Sequence, residues 1–425
     1  DMKQFKTGTY GGFKDSKSGG VKPEFDQDWG MVLFDEAHNL KNYDSLQATA
    51  ARRLKKKKVV YATATPMDRP SAGAFMWSDV MGQDYLTTLD KLGMRIMRET
   101  VFVKNKGKVT KEVPVLKEGV SPQQMIANIQ SMRNAAIRGG RMLKRYYPFF
   151  GTTNDITVEM SDKDRADQDA IDAYWQKEIS RVSQFSNPKN IRGQRILELS
   201  KWEEHLKLDA VMDQLKDDLA QGKQVVVAAE TVSNELLVKG LGDRPVTGFL
   251  ALIADSLDKA GINYVEVSGA VTKAVRTKNV DAFQSGEVPV VIMTTASGGT
   301  GINLDDATGD KPRSLIVVTK NWSGDKVMQL IGRVSRKTTQ SPSVVNVVTL
   351  DGGLADTHKS AVVKRKLKTL MSSSGEPSIL EDLERADFTG IKDSNGNAIS
   401  IDSGGTDAPA SVEKPATAKR PKQVE

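Results

Sequence analysis

Residues 31–42 read MVLFDEAHNLKN, four apolar residues that run directly into Asp-Glu-Ala-His. A short apolar run bounded by polar residues is the pattern of a buried strand. WGMVLFDEA (29–37) and KKVVYATATP (57–66) are β-rich, and YDSLQATAARRLKKK (43–57) between them has helical character. Strand, helix, strand is the unit of a parallel α/β sheet. The two acids leave the carboxyl end of the first strand, where open α/β sheets collect their ligands. There Asp35 can orient a Mg2+ ion through water, and Glu36 can polarise an attacking water. Taken alone, adjacent acids are more often a cap on the next helix, so the rest of the chain must decide.

A second α/β pattern supports the strand reading. KQVVVAAE (223–230), NYVEVSG (263–269), VPVVIMTTA (288–296), RSLIVVT (313–319) and SVVNVVTL (343–350) are five β-branched runs separated by helical segments. Such alternation predicts a second parallel sheet covered by helices. Between the two sheets, 86–100 reads as helix, 101–116 as a β-hairpin, and 121–220 as mostly helix. Trp175 and Trp202 in that middle read as core anchors, and the aromatic run RYYPFF (145–150) reads as packing rather than base stacking. From about Ser372 the composition turns to Ser, Gly, Pro, Lys and Asp, the signature of a disordered tail.

The bulk numbers narrow the chemistry. A chain of 425 residues exceeds what one core usually supports, so two domains are expected. No stretch approaches the roughly 20 apolar residues of a membrane span, and the opening DMKQFKTGTYGG has no signal-peptide pattern. With no Cys and only three His, thiolate zinc sites, cysteine nucleophiles and histidine-built metal centres are excluded. Sixty-one Lys and Arg against 54 Asp and Glu give +7, which is compatible with a phosphate backbone as partner. The basic run RRLKKKK (52–58) reads as the solvated end of a helix.

Three further stretches carry chemistry. ATATP (62–66) forms a small hydroxyl-rich turn after the second strand. TTASGGTGINLDD (294–306) has glycines that let backbone N–H groups approach a phosphate or a nucleic-acid strand. QLIGRVSR (329–336) reads as helix, with Gln329, Arg333 and Arg336 at i, i+4 and i+7 on one face. Two such arginines can straddle a phosphate and stabilise its charge during transfer.

In this order, DEAH, TAT, the glycine-rich loop and Q-x-x-G-R-x-x-R resemble motifs II, III, V and VI of superfamily 2 helicases and translocases. DEAHNLKN followed by TATP is similar to the Snf2 branch. TGTYGGFKDSKSGG (7–20), VVYATATPMDRPSAGAFM (59–76) and NWSGDKVMQLIGRVSRKTTQSP (321–342) resemble strawberry-notch proteins, which occur in phage and mobile elements as well as in nuclei. The resemblance implies an α/β fold of two RecA-like domains: a partial first one over 1–118, a helical insertion over 119–204, a second over 205–371 and a low-complexity tail over 372–425. It implies ATP and Mg2+ as cofactors and nucleic acid, DNA before RNA, as partner, in a cytoplasmic or nuclear setting. Asp35 would then ligand Mg2+ together with Glu36, which would also activate water. Gln329, Arg333, Gly301 and Gly332 would bind nucleotide, with Arg336 as the finger. His38, Thr63, Thr65, Thr300 and Asn303 would couple the nucleotide to the nucleic-acid track, which residues 7–12 would also touch.

One element of that pattern is missing. No G-x-x-x-x-G-K-[ST] occurs in the chain, and SGGTGIN (297–303) lacks the Lys that would reach the phosphates. The 34 residues before Asp35 are too few for a strand, a P-loop and two helical crossovers. The first residue is Asp rather than Met, which favours a fragment whose P-loop segment lies in cis upstream; a separate polypeptide that completes the sheet is another expectation. The alternative is a helicase-fold module that binds nucleic acid or protein without hydrolysing ATP.

Overall fold

The computed structural model describes residues 27–43, 45–63, 66–67, 71, 73–103, 107–143, 149–183, 189–231, 235–295, 302–321 and 324–374. Strand β1 (Trp29–Phe34) is followed by a short 3-10 turn (Ala37–Leu40), helix α1 (Leu46–Arg53) and strand β2 (Lys56–Tyr61). β1 and β2 pair in parallel from Trp29↔Lys56 to Phe34↔Tyr61. Ser45 starts α1 by accepting the Ala48 N–H at 3.1 Å, and Arg52 and Arg53 sit in its last turn, where cations suit the dipole. The inner face of this two-stranded sheet packs Val32 and Phe34 against Leu40, Ala48, Phe75 and Met76.

Helices α2 (Ala74–Met81) and α3 (Tyr85–Lys91) follow. The helix expected over 86–100 stops early. Gly93 adopts φ +80°, a conformation that costs glycine little and ends α3. Met94–Val103 is instead strand β3, paired antiparallel with β4 (Gly107–Leu116) along ten positions. The hairpin therefore begins at Met94, seven residues before the expected 101–116.

A second correction concerns the stretch read as helical insertion. Helices α4 (Pro122–Arg138), α5 (Asp162–Ser183) and α6 (Lys189–His205) occupy much of it, but Gly151–Val158 is strand β5. β5 pairs in parallel with β12 (Ser343–Leu350) over eight residues and forms one edge of the large sheet. Gly151 makes this possible, because a Cβ there would lie 1.7 Å from the Ser343 carbonyl oxygen. The alternation TTNDITV was the available signal, masked by the flanking helical sequence.

The five expected strands of the second domain are present. They are β6 (Gln224–Ala229), β9 (Tyr264–Val267), β10 (Val290–Thr294), β11 (Arg313–Val317) and β12, with β7 (Leu236–Val238) and β8 (Arg244–Val246) forming a small side hairpin. The main sheet has the order β5-β12-β11-β6-β10-β9, every described pair parallel. β6, β10 and β11 are buried at every position, as strands covered on both faces must be. One core lies under α7 (Leu208–Ala220) and α8 (Phe249–Lys259), the other under α9 (Lys273–Ser285) and α10 (Gly324–Val334). Helix α11 (Leu354–Ser374) closes the described chain. Trp175 and Trp202 are both 4% exposed in a satellite core, the anchoring role read from the sequence. No described helix is long and apolar enough to cross a membrane. The low-complexity tail lies outside the described residues.

Between α6 and the sheet sits a buried charged network. The Lys207 ammonium donates to the carbonyls of Val318 (2.8 Å) and Val348 (3.1 Å) and pairs with Asp356 at 2.5 Å. Glu203 caps the start of α11 through the amides of Ala355 (2.6 Å) and Asp356 (2.8 Å). These contacts lock α6 and α11 onto the carboxyl ends of β11 and β12.

Candidate active site

Asp35 and Glu36 leave β1 at its carboxyl end, and both are exposed. Glu36 adopts φ 49°, ψ 46°, one of two described non-glycine residues with positive φ. That conformation costs a side-chain-bearing residue roughly 1–2 kcal/mol. It persists because the neighbourhood holds it: Asp35 Oδ1 accepts the Glu36 N–H at 2.9 Å, and the Ala37 N–H reaches the Ala62 carbonyl at 2.9 Å. The bend turns the acidic pair toward the residues that follow β2.

His38 is the hub of this corner. Its Nδ1 lies 3.2 Å from Glu36 Oε2 and 3.4 Å from Thr63 Oγ1, while its Nε2 lies 3.2 Å from Gln329 Nε2. One tautomer satisfies these contacts: Nδ1–H donates toward the carboxylate, and the Nε2 lone pair accepts from the Gln329 amide. Gln329 belongs to α10, so the first strand pair and the second domain meet at this ring.

Arg333, one turn further along α10, is 7% exposed. Burial pulls its guanidinium below the usual arginine range, the neighbouring Arg336 adds to this, and the Glu36 carboxylate opposes it. The Glu36 carboxylate is therefore near enough to act on the Arg333 guanidinium. Arg333 donates to the Ile302 carbonyl at 3.1 Å. Arg336 donates to that same carbonyl at 3.1 Å and to the Gly332 carbonyl at 3.0 Å.

The sequence expected Arg336 on the helix face, but α10 ends at Val334 and Arg336 begins the following turn. The Gln329–Arg333 register holds; the third position does not, because the chain turns to enter β12. Gly332 is half-buried and serves through its carbonyl. Asn303 is half-buried; its buried Oδ1 has no hydrogen-bond partner among the described residues, while its carbonyl accepts from Gln284 at 2.8 Å. Thr65, Thr300, Gly301 and residues 7–12 lie outside the described residues. Among the described residues no group of three acids or histidines clusters as a metal cage. Mg2+ does not require one, since it is commonly held by one or two carboxylates together with substrate phosphates.

Motif spacing did not reveal Ile302, Asp305 or Thr339. Asp305 is fully buried and accepts the hydroxyls of Thr338 (2.6 Å) and Thr339 (3.0 Å). The only available signal was the acid pair in NLDD directly after the glycine-rich loop.

Residues 206–338 match the family described as helicase conserved C-terminal domain. Over 370 residues the chain is 23% identical to "Chromodomain-helicase-DNA-binding protein 3 homolog" of Caenorhabditis elegans, covering 80% of this chain and 18% of that protein. Over 288 residues it is 23% identical to "Putative ATP-dependent helicase/translocase YwqA" of Bacillus subtilis, covering 66% of this chain and 29% of that protein. The chain thus spans less than a third of the length of these two relatives. Among solved structures it is similar to the "Sulfolobus solfataricus SWI2/SNF2 ATPase core in complex with dsDNA", with TM-score 0.37 and 16% identity over 83% of this chain and 70% of that one. Residues 206–338 thus resemble a helicase C-terminal region, and the chain as a whole is similar to helicases and helicase-type translocases.

Proposed function

We propose that this chain is part of an ATP-dependent DNA translocase or helicase of the Snf2 and strawberry-notch type, acting in a cytoplasmic or nuclear compartment. The observation that carries the reading is the contact of the DEAH corner with α10: His38 Nε2 lies 3.2 Å from Gln329 Nε2, and the Glu36 carboxylate acts on the Arg333 guanidinium. A water-activating acid and a phosphate-binding arginine on opposite walls are what a nucleotide cleft between two α/β domains requires.

In this reading Asp35 would hold Mg2+, which supplies charge neutralisation at the phosphates. Glu36 would take the proton of the attacking water. Arg333 and Arg336 would carry the developing phosphate charge. His38 and Thr63 would report the state of that site to Gln329 and to the loop at Asn303, which faces nucleic acid. The charge of +7 suits a phosphate backbone, and the relatives named for DNA binding and chromatin remodelling support DNA over RNA.

The phosphate cradle is the part the chain does not provide. The outer face of β1–β2 supports a docking place for it. Met31 and Leu33 are 59% exposed and Val60 42%, an apolar face on a parallel pair. Parallel strands are normally covered on both sides, and two strands alone are barely stable. In our reading a P-loop-bearing βα segment, in cis or in trans, covers that face.

The missing P-loop motif also favours a second reading, a binding module without ATPase activity. Measuring ATP binding and DNA-stimulated hydrolysis by the protein, with Glu36→Gln and Arg336→Ala beside it, separates the two. Hydrolysis lost in both variants supports the translocase; wild-type protein that binds no ATP supports the module.

A further inference from the structure

Arg336 does not stand on a helix, so something other than helix geometry must aim it. Its backbone N–H donates to Thr339 Oγ1 at 2.6 Å, and the Thr339 N–H returns to the Arg336 carbonyl at 3.2 Å. The Thr339 hydroxyl in turn donates to Asp305 Oδ2 at 3.0 Å, alongside Thr338 Oγ1 at 2.6 Å. Asp305 is 0% and Thr339 1% exposed. At the other end of the same arginine, the guanidinium is held by Ile302, three residues before Asp305. Main chain and side chain of Arg336 are therefore both tied to the segment 302–305.

A second lacing runs parallel to the first. Asp306, also fully buried, accepts the Ser341 hydroxyl at 2.6 Å, and its carbonyl accepts the Gln340 N–H at 2.7 Å. The Leu304 N–H reaches the Arg333 carbonyl at 3.0 Å. The turn after α10 is thus laced at several points to the loop that follows β10. Among the described residues, Asp305 Oδ1 is buried without a hydrogen-bond partner. A buried acceptor left unmet costs stability rather than adding to it.

We propose that Asp305 and Thr339 are positioning residues for Arg336, relaying the place of the loop 302–305 to the direction of the arginine. This rests on reading Arg336 as the residue that meets the transferred phosphate. Loop 302–305 directly follows the glycine-rich segment, so nucleic acid that shifts the loop re-aims the arginine through Thr339.

The test is steady-state ATPase of the complete protein with Thr339→Val, which keeps shape and removes the hydroxyl, and Thr339→Ser, which keeps the hydroxyl. Thr339→Val is expected to lower kcat roughly 10- to 100-fold, the cost of a misplaced catalytic group, with KM for ATP within about twofold. Thr339→Ser restores the rate, and Thr339→Val adds no further loss to Arg336→Ala. Amide hydrogen exchange at Arg336 quickens in Thr339→Val only. Should Thr339→Val not fold, Asp305→Asn carries the same kcat expectation. Normal kcat in a folded Thr339→Val beside an impaired Arg336→Ala overturns the relay and leaves the translocase reading intact. A loss that Thr339→Ser does not restore, or one seen only in KM, also overturns it. An Arg336→Ala enzyme as active as wild type overturns the role of the arginine itself.

Discussion

Gln329 Nε2 lies 3.2 Å from His38 Nε2, a contact that spans 291 positions of sequence and joins the DEAH corner to helix α10. Neighbouring groups in one network couple by roughly 0.5–3 kcal/mol in double-mutant cycles. In DNA-stimulated ATPase, His38→Ala and Gln329→Ala are therefore expected to be non-additive by an amount in that range. Fully additive losses would show that the two walls act independently.

Glu36 combines a strained backbone with the water-activating role. Replacing it with glycine relieves the left-handed conformation, so Glu36→Gly is expected to raise unfolding stability by about 1 kcal/mol. The same change should abolish hydrolysis while nucleotide binding persists. Chemical denaturation and nucleotide titration on one preparation check both halves.

Lys207 is wholly buried and its ammonium pairs with Asp356. Breaking one side of such a pair strands the other charge, at a cost of roughly 3–5 kcal/mol. Lys207→Ala should lower the denaturation midpoint accordingly. A shift under about 1 kcal/mol would mean that water reaches Asp356 freely.

Glu203 sets a pH dependence. Burial first, then the neighbouring Asp356, raises its carboxyl from 4.5 to about 7. The folded protein holds this proton more tightly than the unfolded chain does. Its contribution is complete below pH 4.5 and is lost as the pH climbs through about 7. That loss amounts to about 3 kcal/mol at most. Glu203→Gln should flatten the stability curve over this window, and equal slopes for wild type and variant would refute the assignment.

Met31→Lys with Leu33→Lys tests the exposed face of β1–β2. Both side chains point away from the described core, so the melting temperature of this chain should stay unchanged. Association with a P-loop-bearing segment, measured by ATP binding of the reconstituted protein, should fall. Unimpaired ATP binding would place the phosphate cradle elsewhere.

The sequence by itself determined the parallel sheets and the identity of the corner residues. Runs such as QVVVAA and VVIMT read as strands buried on both faces, and the resemblance of the motifs singled out Asp35, Glu36, His38, Gln329 and Arg333. Local periodicity carries that information because side chains alternate or spiral with a fixed period. Three things needed the tertiary structure. Strand β5 is decided by its partner β12, eight residues supplied from almost two hundred positions away, and not by its own helical surroundings. The end of α10 at Val334 is decided by the turn that must feed β12, which takes Arg336 off the helix face. The roles of Ile302, Asp305 and Thr339 are decided by burial and hydrogen bonding between loops, which no spacing rule encodes. Long-range pairing chooses among conformations that local sequence leaves nearly equal in energy, and at Arg336 that choice determines what the arginine can reach.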